Sequence, residues 1–137
     1  LNLGSSTITL VGNNPSGQPW RVALKDPQDE EQQILLLSLS DQALSTSGAY
    51  EQHFEENGVT YHHILDPRTG YPAQTGILSV TVVSDNGARA DALSTALFTL
   101  PQAEGQALLD RYGAEAMWVD ASGGEVFSPG FSAYLRT

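Results

Sequence analysis

The sequence predicts an α+β domain in which a mostly antiparallel sheet carries a packed pair of helices. Segments in the first half and at the end of the chain alternate apolar and polar residues with the period of two that marks strands. Between Ala88 and Tyr112 the apolar period lengthens to that of amphipathic helices, and Pro101 divides this region into two. Strands, a helix pair and strands again are typical of this fold class.

Length and composition indicate one domain, residues 1–137, with one core and no linker. A chain of 137 residues buries roughly two-thirds of the surface that its unfolded form exposes. Its 40% hydrophobic and 16% charged residues are typical of a globular protein rather than a disordered one.

The first half of the chain contains three predicted strands. Ser5–Val11 and Trp20–Lys25 are separated by the dense turn signal Gly12–Gly17, which predicts a hairpin with one buried face. The run Ile34–Leu39 is apolar on both faces. That pattern favours a central strand, although periodicity alone leaves a helix open.

Two further strands, Gly58–Leu65 and Ile77–Val83, bring the predicted sheet to five strands. In the second of them one face carries Leu78, Val80 and Val82, and the other carries Ser79, Thr81 and Val83.

The helical region has an apolar stripe, and its second helix, Gln102–Tyr112, is ended by Gly113. Glu115–Val119 and Glu125–Phe127 predict a closing hairpin. The stripe of the first helix consists of Leu93, Leu97 and Leu100.

Charge and missing motifs exclude several functions. Six basic residues against sixteen acidic ones give a net charge of -10, which repels a phosphate backbone and argues against nucleic-acid binding. The absence of cysteine excludes disulfides, thiolate nucleophiles and cysteine metal sites. No phosphate-binding loop, dinucleotide fingerprint or nucleophile elbow is present, which disfavours P-loop kinases, Rossmann dehydrogenases and α/β-hydrolases.

A candidate base lies near the middle of the chain. On an extended strand Tyr61, His63 and Leu65 share one face while His62 takes the other, so the adjacent histidines do not grip one ion. An imidazole accepts a proton from a hydroxyl near neutral pH, which makes His63 a candidate general base. A structural role for a single strand histidine is the alternative.

The segment Asp66-Pro67-Arg68-Thr69-Gly70 has the composition of a tight turn. A turn does not require Arg68, whose planar donors suit a carboxylate or phosphate, or Thr69, which could donate to the same ligand. The alternative is an exposed arginine in an ordinary turn.

Asp91 and Thr95 are four residues apart on the first predicted helix and therefore share one face. A carboxylate and a hydroxyl so placed suit Mg²⁺, which completes its shell with water and phosphate. The alternative is that Asp91 caps the helix while Thr95 faces solvent or bonds back to the preceding turn. A helix start is also a natural anion site.

Ser45–Glu51 is a hydroxyl-rich segment that contains an aromatic residue. It could hold a flat ring or a phosphate, or be only a loop and the start of a helix.

Two of these motifs, His63–Pro72 and Ala90–Phe98, resemble in order and spacing those of the ApbE-like FAD:protein FMN transferases. Weaker matches are Asn2–Gly4, Pro19–Val22 and Ser47–Glu51. The resemblance covers nearly the whole chain and implies an ApbE-like, T-fold-like domain.

The resemblance implies an activity and roles for residues. Such enzymes bind FAD with Mg²⁺, split its pyrophosphate and move FMN onto a threonine or serine hydroxyl of an acceptor flavoprotein, releasing AMP. By this likeness Asp91 and Thr95 would hold the metal and His63 would be the catalytic base. The residues expected to shape or line the flavin nucleotide site are Gly4, Ser47, Gly48, Tyr50, Asp66, Arg68 and Thr69.

Departures from the family pattern define further expectations. Ser5-Ser6 stands where the family has Gly-Asn, and Ala49 where it has Asp. Family members are about twice as long, so the resemblance implies that this chain is a C-terminal portion, lacks the N-terminal half and is inactive alone. The alternatives are a flavin-nucleotide-binding module, an FAD pyrophosphatase without transferase activity, or a stable structural core. Family habit alone predicts an extracytoplasmic location in the cell envelope, periplasmic or lipid-anchored.

Overall fold

The computed structural model describes residues 6–50 and 52–136. The elements within these ranges are, in chain order, β1 Thr7–Thr9, β2 Trp20–Lys25, β3 Gln33–Leu39, β4 Ala43–Gly48, β5 His53–Glu56, β6 Val59–His62, β7 Ile77–Ser84, α1 Gly87–Thr99, α2 Gln102–Tyr112, β8 Glu115–Asp120, β9 Glu125–Phe127 and a 3₁₀ helix Phe131–Tyr134.

Strand β7 is the centre of the main sheet, whose spatial order is β1-β4-β7-β8-β9 with every neighbouring pair antiparallel. Val80 and Val82 pack in the core on one face of the sheet and Val83 in the core on the other, as the alternation predicts. All three side chains are fully buried. A strand covered on both faces therefore needs apolar residues at both alternating positions.

Both helices pack on one face of this sheet, which confirms the predicted fold class. Leu97 and Phe98 of α1 are fully buried there with Leu109 of α2. Gly105 allows the helices to approach closely, because a Cβ at that position would lie 2.6 Å from Leu97 Cδ2. Gly113 ends α2 in the left-handed region at φ 63°, as predicted.

A separate two-stranded sheet, β2 paired with β3, covers the opposite face. Its buried residues Leu24, Leu37 and Leu39 pack against Met117 of β8 and Phe131 of the 3₁₀ helix. The end of the chain fastens this layer, since the Arg136 N–H donates to the Leu36 carbonyl at 2.9 Å. The domain consequently has two apolar cores, one on each face of the main sheet, where length and composition predicted a single core.

Two sequence predictions about strand pairing are wrong. The first two strands do not form a hairpin, because β1 pairs with β4 and β2 pairs with β3. The run Ile34–Leu39 is not a central strand of the main sheet but lies in the covering layer. An apolar pattern indicates which faces of a strand can be buried, but it does not identify the partner strand.

Two strands were not predicted. Ser45–Gly48, expected as a loop and a helix start, belongs to β4, where serine and threonine take strand positions because each hydroxyl finds a partner. β5 pairs with β6 through a turn at Asn57 and Gly58, both at positive φ. The predicted strand Gly58–Leu65 therefore shortens to Val59–His62, while Leu65 bridges to Pro72.

Among the described residues, no helix is sufficiently long and apolar to span a bilayer.

Replacing Leu97 with alanine tests the core beneath the helices. The side chain is fully buried and lies at the contact between α1 and α2, so we expect Leu97→Ala to lower the free energy of unfolding by about 3 kcal/mol in urea titrations. Leu65→Ala is the matched control, because Leu65 is 53% exposed and should change stability by less than about 0.5 kcal/mol. Equal losses for the two variants would contradict the packing described here.

Candidate functional site

The start of α1 is capped by Asn86, whose Oδ1 accepts from the Arg89 N–H at 2.9 Å. The helix begins at Gly87, so Asp91 lies in the second turn. The alternative prediction that Asp91 caps the helix is therefore wrong, because the capping residue is Asn86. The Asp91 carboxylate is left available for other contacts.

The Asp91 carboxylate lies against two strand hydroxyls. Its Oδ1 accepts from Ser45 Oγ of β4 at 3.2 Å and from Thr7 Oγ1 of β1 at 3.3 Å. These two hydroxyl oxygens are themselves 2.9 Å apart. We call Thr7, Ser45 and Asp91 the Asp91 cluster. Ser45 is fully buried, whereas Asp91 is exposed.

A second group of hydroxyls lies one turn further towards the C-terminal end of α1, around Thr95. Ser47 Oγ of β4 is 3.1 Å from Thr95 Oγ1 and 2.8 Å from Ser94 Oγ. Thr95 also lies 3.5 Å from the Asp91 carbonyl, a weak contact with the preceding turn. Asp91 and Thr95 therefore share one face of α1, as their spacing predicted, and the structure shows that this face lies towards β4.

This helix face provides some, but not all, of the oxygen ligands that a hard cation such as Mg²⁺ needs. Asp91 offers a carboxylate and Thr95 a hydroxyl, and oxygen ligands of this kind bind Mg²⁺ together with waters and phosphate. No group of three or more histidine, cysteine or acidic side chains that could hold a metal occurs within residues 6–50 and 52–136. The remaining ligands of any Mg²⁺ held here would therefore be water, substrate oxygens or groups outside this set.

An open groove of about 500 Å³ adjoins Asp91 at the N-terminal end of α1. The helix start contributes partial positive charge to it. A phosphate group fits such a place in size and charge. The groove is lined by Ser6, Thr7, Thr9, Asn86, Gly87, Ala88 and Asp91.

The histidines have different environments. Both ring nitrogens of His62 are engaged: Nδ1 accepts from the Ile64 N–H at 3.2 Å, which makes Nε2 the donor to the Ala73 carbonyl at 2.9 Å. The ring also meets Phe98 edge-on, with centroids 5.3 Å apart. Both ring nitrogens of His62 are consequently used in holding the fold.

His63 is exposed and lies directly after β6. Its Nδ1 is 3.3 Å from the Gln52 carbonyl, so a proton on Nδ1 leaves Nε2 as an acceptor. This geometry suits the predicted base, whose role stays a prediction. His53 is exposed as well, and together with His62 and His63 it lines a pocket of about 300 Å³.

Arg68 forms internal contacts in the structure. Its Nε donates to Asp66 Oδ1 at 3.0 Å and its Nη2 to Asp66 Oδ2 at 2.8 Å. Nη2 also approaches the Thr99 carbonyl at the end of α1, 3.3 Å away. These contacts agree with the alternative prediction of an exposed arginine in an ordinary turn, since the side chain is 61% exposed. Thr69 also bonds within the turn, since its Oγ1 accepts from the Tyr71 N–H at 3.2 Å.

The Asp66 carboxylate organises this turn and is itself buried. The Arg68 side chain, followed by the Arg68 backbone N–H, holds the pKa of Asp66 below its usual value. The same pair raises the pKa of Arg68 above its ordinary value. Gly70 completes the predicted turn at φ 72°, a value that glycine adopts readily.

The remaining predicted flavin-site residues do not converge on Asp91. Ser47 contacts α1, but Tyr50 lines a cavity of about 320 Å³ beneath the β2–β3 layer, on the opposite face of the main sheet. Gly48 allows the Tyr50 ring to lie over the backbone, because a Cβ there would meet the ring at 2.3 Å. Gly4 lies outside the described residues.

The sequence predictions gave no role beside Asp91 or Thr95 to Thr7, Ser45 or Ser94, whose hydroxyls lie at this contact between α1 and the strands. A usable signal was present, since the alternation of Ser45 and Ser47 places both on one side if the segment is a strand. The alternation was missed because the segment was predicted to be a loop.

The chain is similar to known proteins in both sequence and fold. The sequence profile described as "ApbE family" matches residues 1–118. The FAD:protein FMN transferase of Treponema pallidum is 43% identical over 102 residues, covering 73% of this chain and 28% of that protein. The enzyme of the same name from Salmonella typhimurium is 35% identical over 131 residues, covering 95% of this chain and 37% of that protein. The chain thus spans about a third of the length of these curated relatives.

Solved structures show the same fold. The ApbE protein of Thermotoga maritima superposes with a TM-score of 0.88 at 36% identity, covering 96% of this chain and 43% of that one. The apo form of the flavinyl transferase ApbE of Pseudomonas stutzeri gives a TM-score of 0.75 at 34% identity, with 95% and 41% covered.

The Asp66 carboxylate predicts a specific acid sensitivity. Its folded-state pKa lies below the unfolded value near 3.9. Its stabilising contribution is therefore present above that value and lost as the pH falls through the folded-state pKa. We expect wild type to lose more free energy of unfolding than Asp66→Asn when urea titrations are repeated from about pH 5 down to about pH 2.

Arg68→Ala should remove only part of this difference, because the backbone N–H of residue 68 still donates to Asp66. Identical acid slopes for wild type and Asp66→Asn would contradict the assignment.

Proposed function

The chain belongs to the ApbE family, and from that premise we propose that it supplies the metal-binding and base-bearing part of a flavin transferase. The curated relatives are named FAD:protein FMN transferase. In the proposed reaction FMN passes from FAD to a threonine or serine hydroxyl of an acceptor flavoprotein, with AMP released. The observation that carries this proposal is the pairing of Asp91 and Thr95 on the helix face beside the groove.

The chemistry requires little beyond positioning and neutralisation of charge. The acceptor hydroxyl oxygen attacks the phosphorus of the FMN moiety, the bond to the AMP phosphate breaks, and the hydroxyl proton passes to a base. Mg²⁺, when bound, would offset negative charge on the pyrophosphate. Asp91 and Thr95 would hold the cation.

His63 supplies the proposed base. Its exposed ring has Nδ1 beside the Gln52 carbonyl, which favours the tautomer with an unprotonated Nε2. The proton of the acceptor hydroxyl would pass to that nitrogen. His62 is unsuited to this role, since both of its ring nitrogens are engaged within the fold.

We further propose that the chain alone does not complete the FAD site. The described acidic and histidine side chains provide no three-ligand metal group, and the curated relatives carry more than half of their length outside the matched stretch. The flavin nucleotide would therefore also need groups of the kind found in those other parts of the relatives. The extracytoplasmic location stays a prediction of the family resemblance.

A chimera tests the proposed activity. The matched stretch of the Thermotoga maritima ApbE protein is replaced with this chain, and the product is incubated with FAD, Mg²⁺ and an acceptor flavoprotein. We expect covalent flavin fluorescence on the acceptor after denaturing electrophoresis, and about a hundredfold slower transfer in Asp91→Ala. Asp110→Ala, an exposed carboxylate on α2, is the matched control and should transfer normally. The isolated chain should give no transfer.

The other outcomes of that assay identify the alternatives. Release of FMN and AMP without labelled acceptor would assign an FAD pyrophosphatase. Binding of FAD without either product, in a chimera whose far-ultraviolet circular dichroism matches the parent enzyme, would assign a binding module. Transfer that continues unchanged in Asp91→Ala would exclude the proposed metal role.

The role of His63 is tested in the same chimera. Loss of a general base slows proton transfer, so His63→Ala should reduce the rate of flavin attachment about a hundredfold or more. His53→Ala is the matched control, because His53 is an exposed histidine of the same hairpin with a comparable bond to a carbonyl, that of Tyr50. Equal rates for the two variants would remove His63 from the mechanism.

A further inference from the structure

Strand β4 and helix α1 have matching spacings along their contact. Ser45 and Ser47 are two residues apart on an extended strand, a separation of about 6.6 Å on one face. Asp91 and Thr95 are four residues apart on a helix, a rise of about 6 Å. Because the two distances agree, each serine meets one of the two helical residues.

Ser45 fixes the Asp91 carboxylate through a small closed group of oxygens. Ser45 Oγ, Thr7 Oγ1 and Asp91 Oδ1 lie within 3.3 Å of one another. The two hydroxyls have two protons between them, so at least one proton reaches Oδ1 in every arrangement that keeps both protons within this group. Since the described donors both end on Oδ1, Oδ2 is the oxygen that they leave for a ligand.

Ser47 acts in the same way on Thr95. A helical threonine divides between two side-chain rotamers. The 3.1 Å contact with Ser47 Oγ selects the one whose hydroxyl faces the strand. Ser94, 2.8 Å from Ser47 Oγ, completes the hydrogen bonding of that serine.

We propose that Ser45 and Ser47 are positioning residues that hold Asp91 and Thr95 in the geometry for a divalent cation. The inference rests on the proposed metal role of those two residues. Neither serine is a ligand in this arrangement; each acts through the residue it touches. Partners of this kind typically change metal affinity by tenfold or more when removed.

The test uses the chimera described above, which supplies the groups that the chain itself does not provide, and Mn²⁺ as a paramagnetic probe for a Mg²⁺ site. Free Mn²⁺ is measured by electron paramagnetic resonance during titration of wild type, Ser45→Ala, Ser47→Ala and Asp91→Ala. Thr46→Val is the matched control: it removes one hydroxyl from the same strand, but Thr46 faces the other side of the sheet and bonds to Thr81 at 2.8 Å. The melting temperature of each variant shows whether its fold is retained.

We expect Asp91→Ala to abolish specific Mn²⁺ binding and each serine variant to weaken it about tenfold, with Thr46→Val unchanged. The spectrum of bound Mn²⁺ should also change in the serine variants, and Ser47→Thr, which keeps the hydroxyl, should restore affinity. A merely structural serine would alter the melting temperature without these effects.

The failures of the two proposals are distinguishable. If Asp91→Ala abolishes binding while both serine variants bind Mn²⁺ as wild type does, the positioning role is overturned and the metal role stands. If wild type and Asp91→Ala bind alike, or neither binds, the metal role fails and the positioning role fails with it.

Discussion

The packing of α1 across strands β4 and β7 is the constraint on which the candidate site depends. One stripe of the helix, which includes Leu93 and Leu97, enters the core with Val80 and Val82 of β7. Burial of such side chains contributes about 1.5–3 kcal/mol each relative to exposure. This apolar contact fixes the rotation of the helix, and the rotation in turn directs Asp91 and Thr95 towards the serines of β4.

Helix α1 also connects the Asp91 cluster with the Asp66 turn. Arg68 and Thr75 donate to the carbonyls of Thr99 and Phe98 at its C-terminal end, at 3.3 and 3.1 Å. The positive charge of Arg68 also interacts favourably with the partial negative charge at that end of the helix. Thr99 lies eight positions after Asp91, about 12 Å along the axis. The Arg68 contacts therefore brace the turn against the element that bears the proposed metal ligands.

The main sheet separates two environments by strand alternation alone. Ser45 and Ser47 face α1, whereas Thr46 faces the cavity that Tyr50 lines. Residues that are neighbours in sequence are thus divided between the contact with α1 and the cavity beneath the β2–β3 layer. Only the first of these faces carries the Asp91 and Thr95 pair, and the second lies under the β2–β3 layer.

The sequence by itself determined the fold class, both helices, the closing hairpin, the turn at Asp66 and the pairing of Asp91 with Thr95 on one helix face. These features depend on residues close in the chain, where periodicity and turn chemistry act directly. Only the tertiary structure decided which strands pair, that Arg68 bonds to Asp66 and the end of α1, and that Ser45 and Thr7 reach Asp91. Those contacts join residues up to 84 positions apart. They follow from how the strands and α1 pack together, which local patterns leave open because they specify a buried face and not its partner.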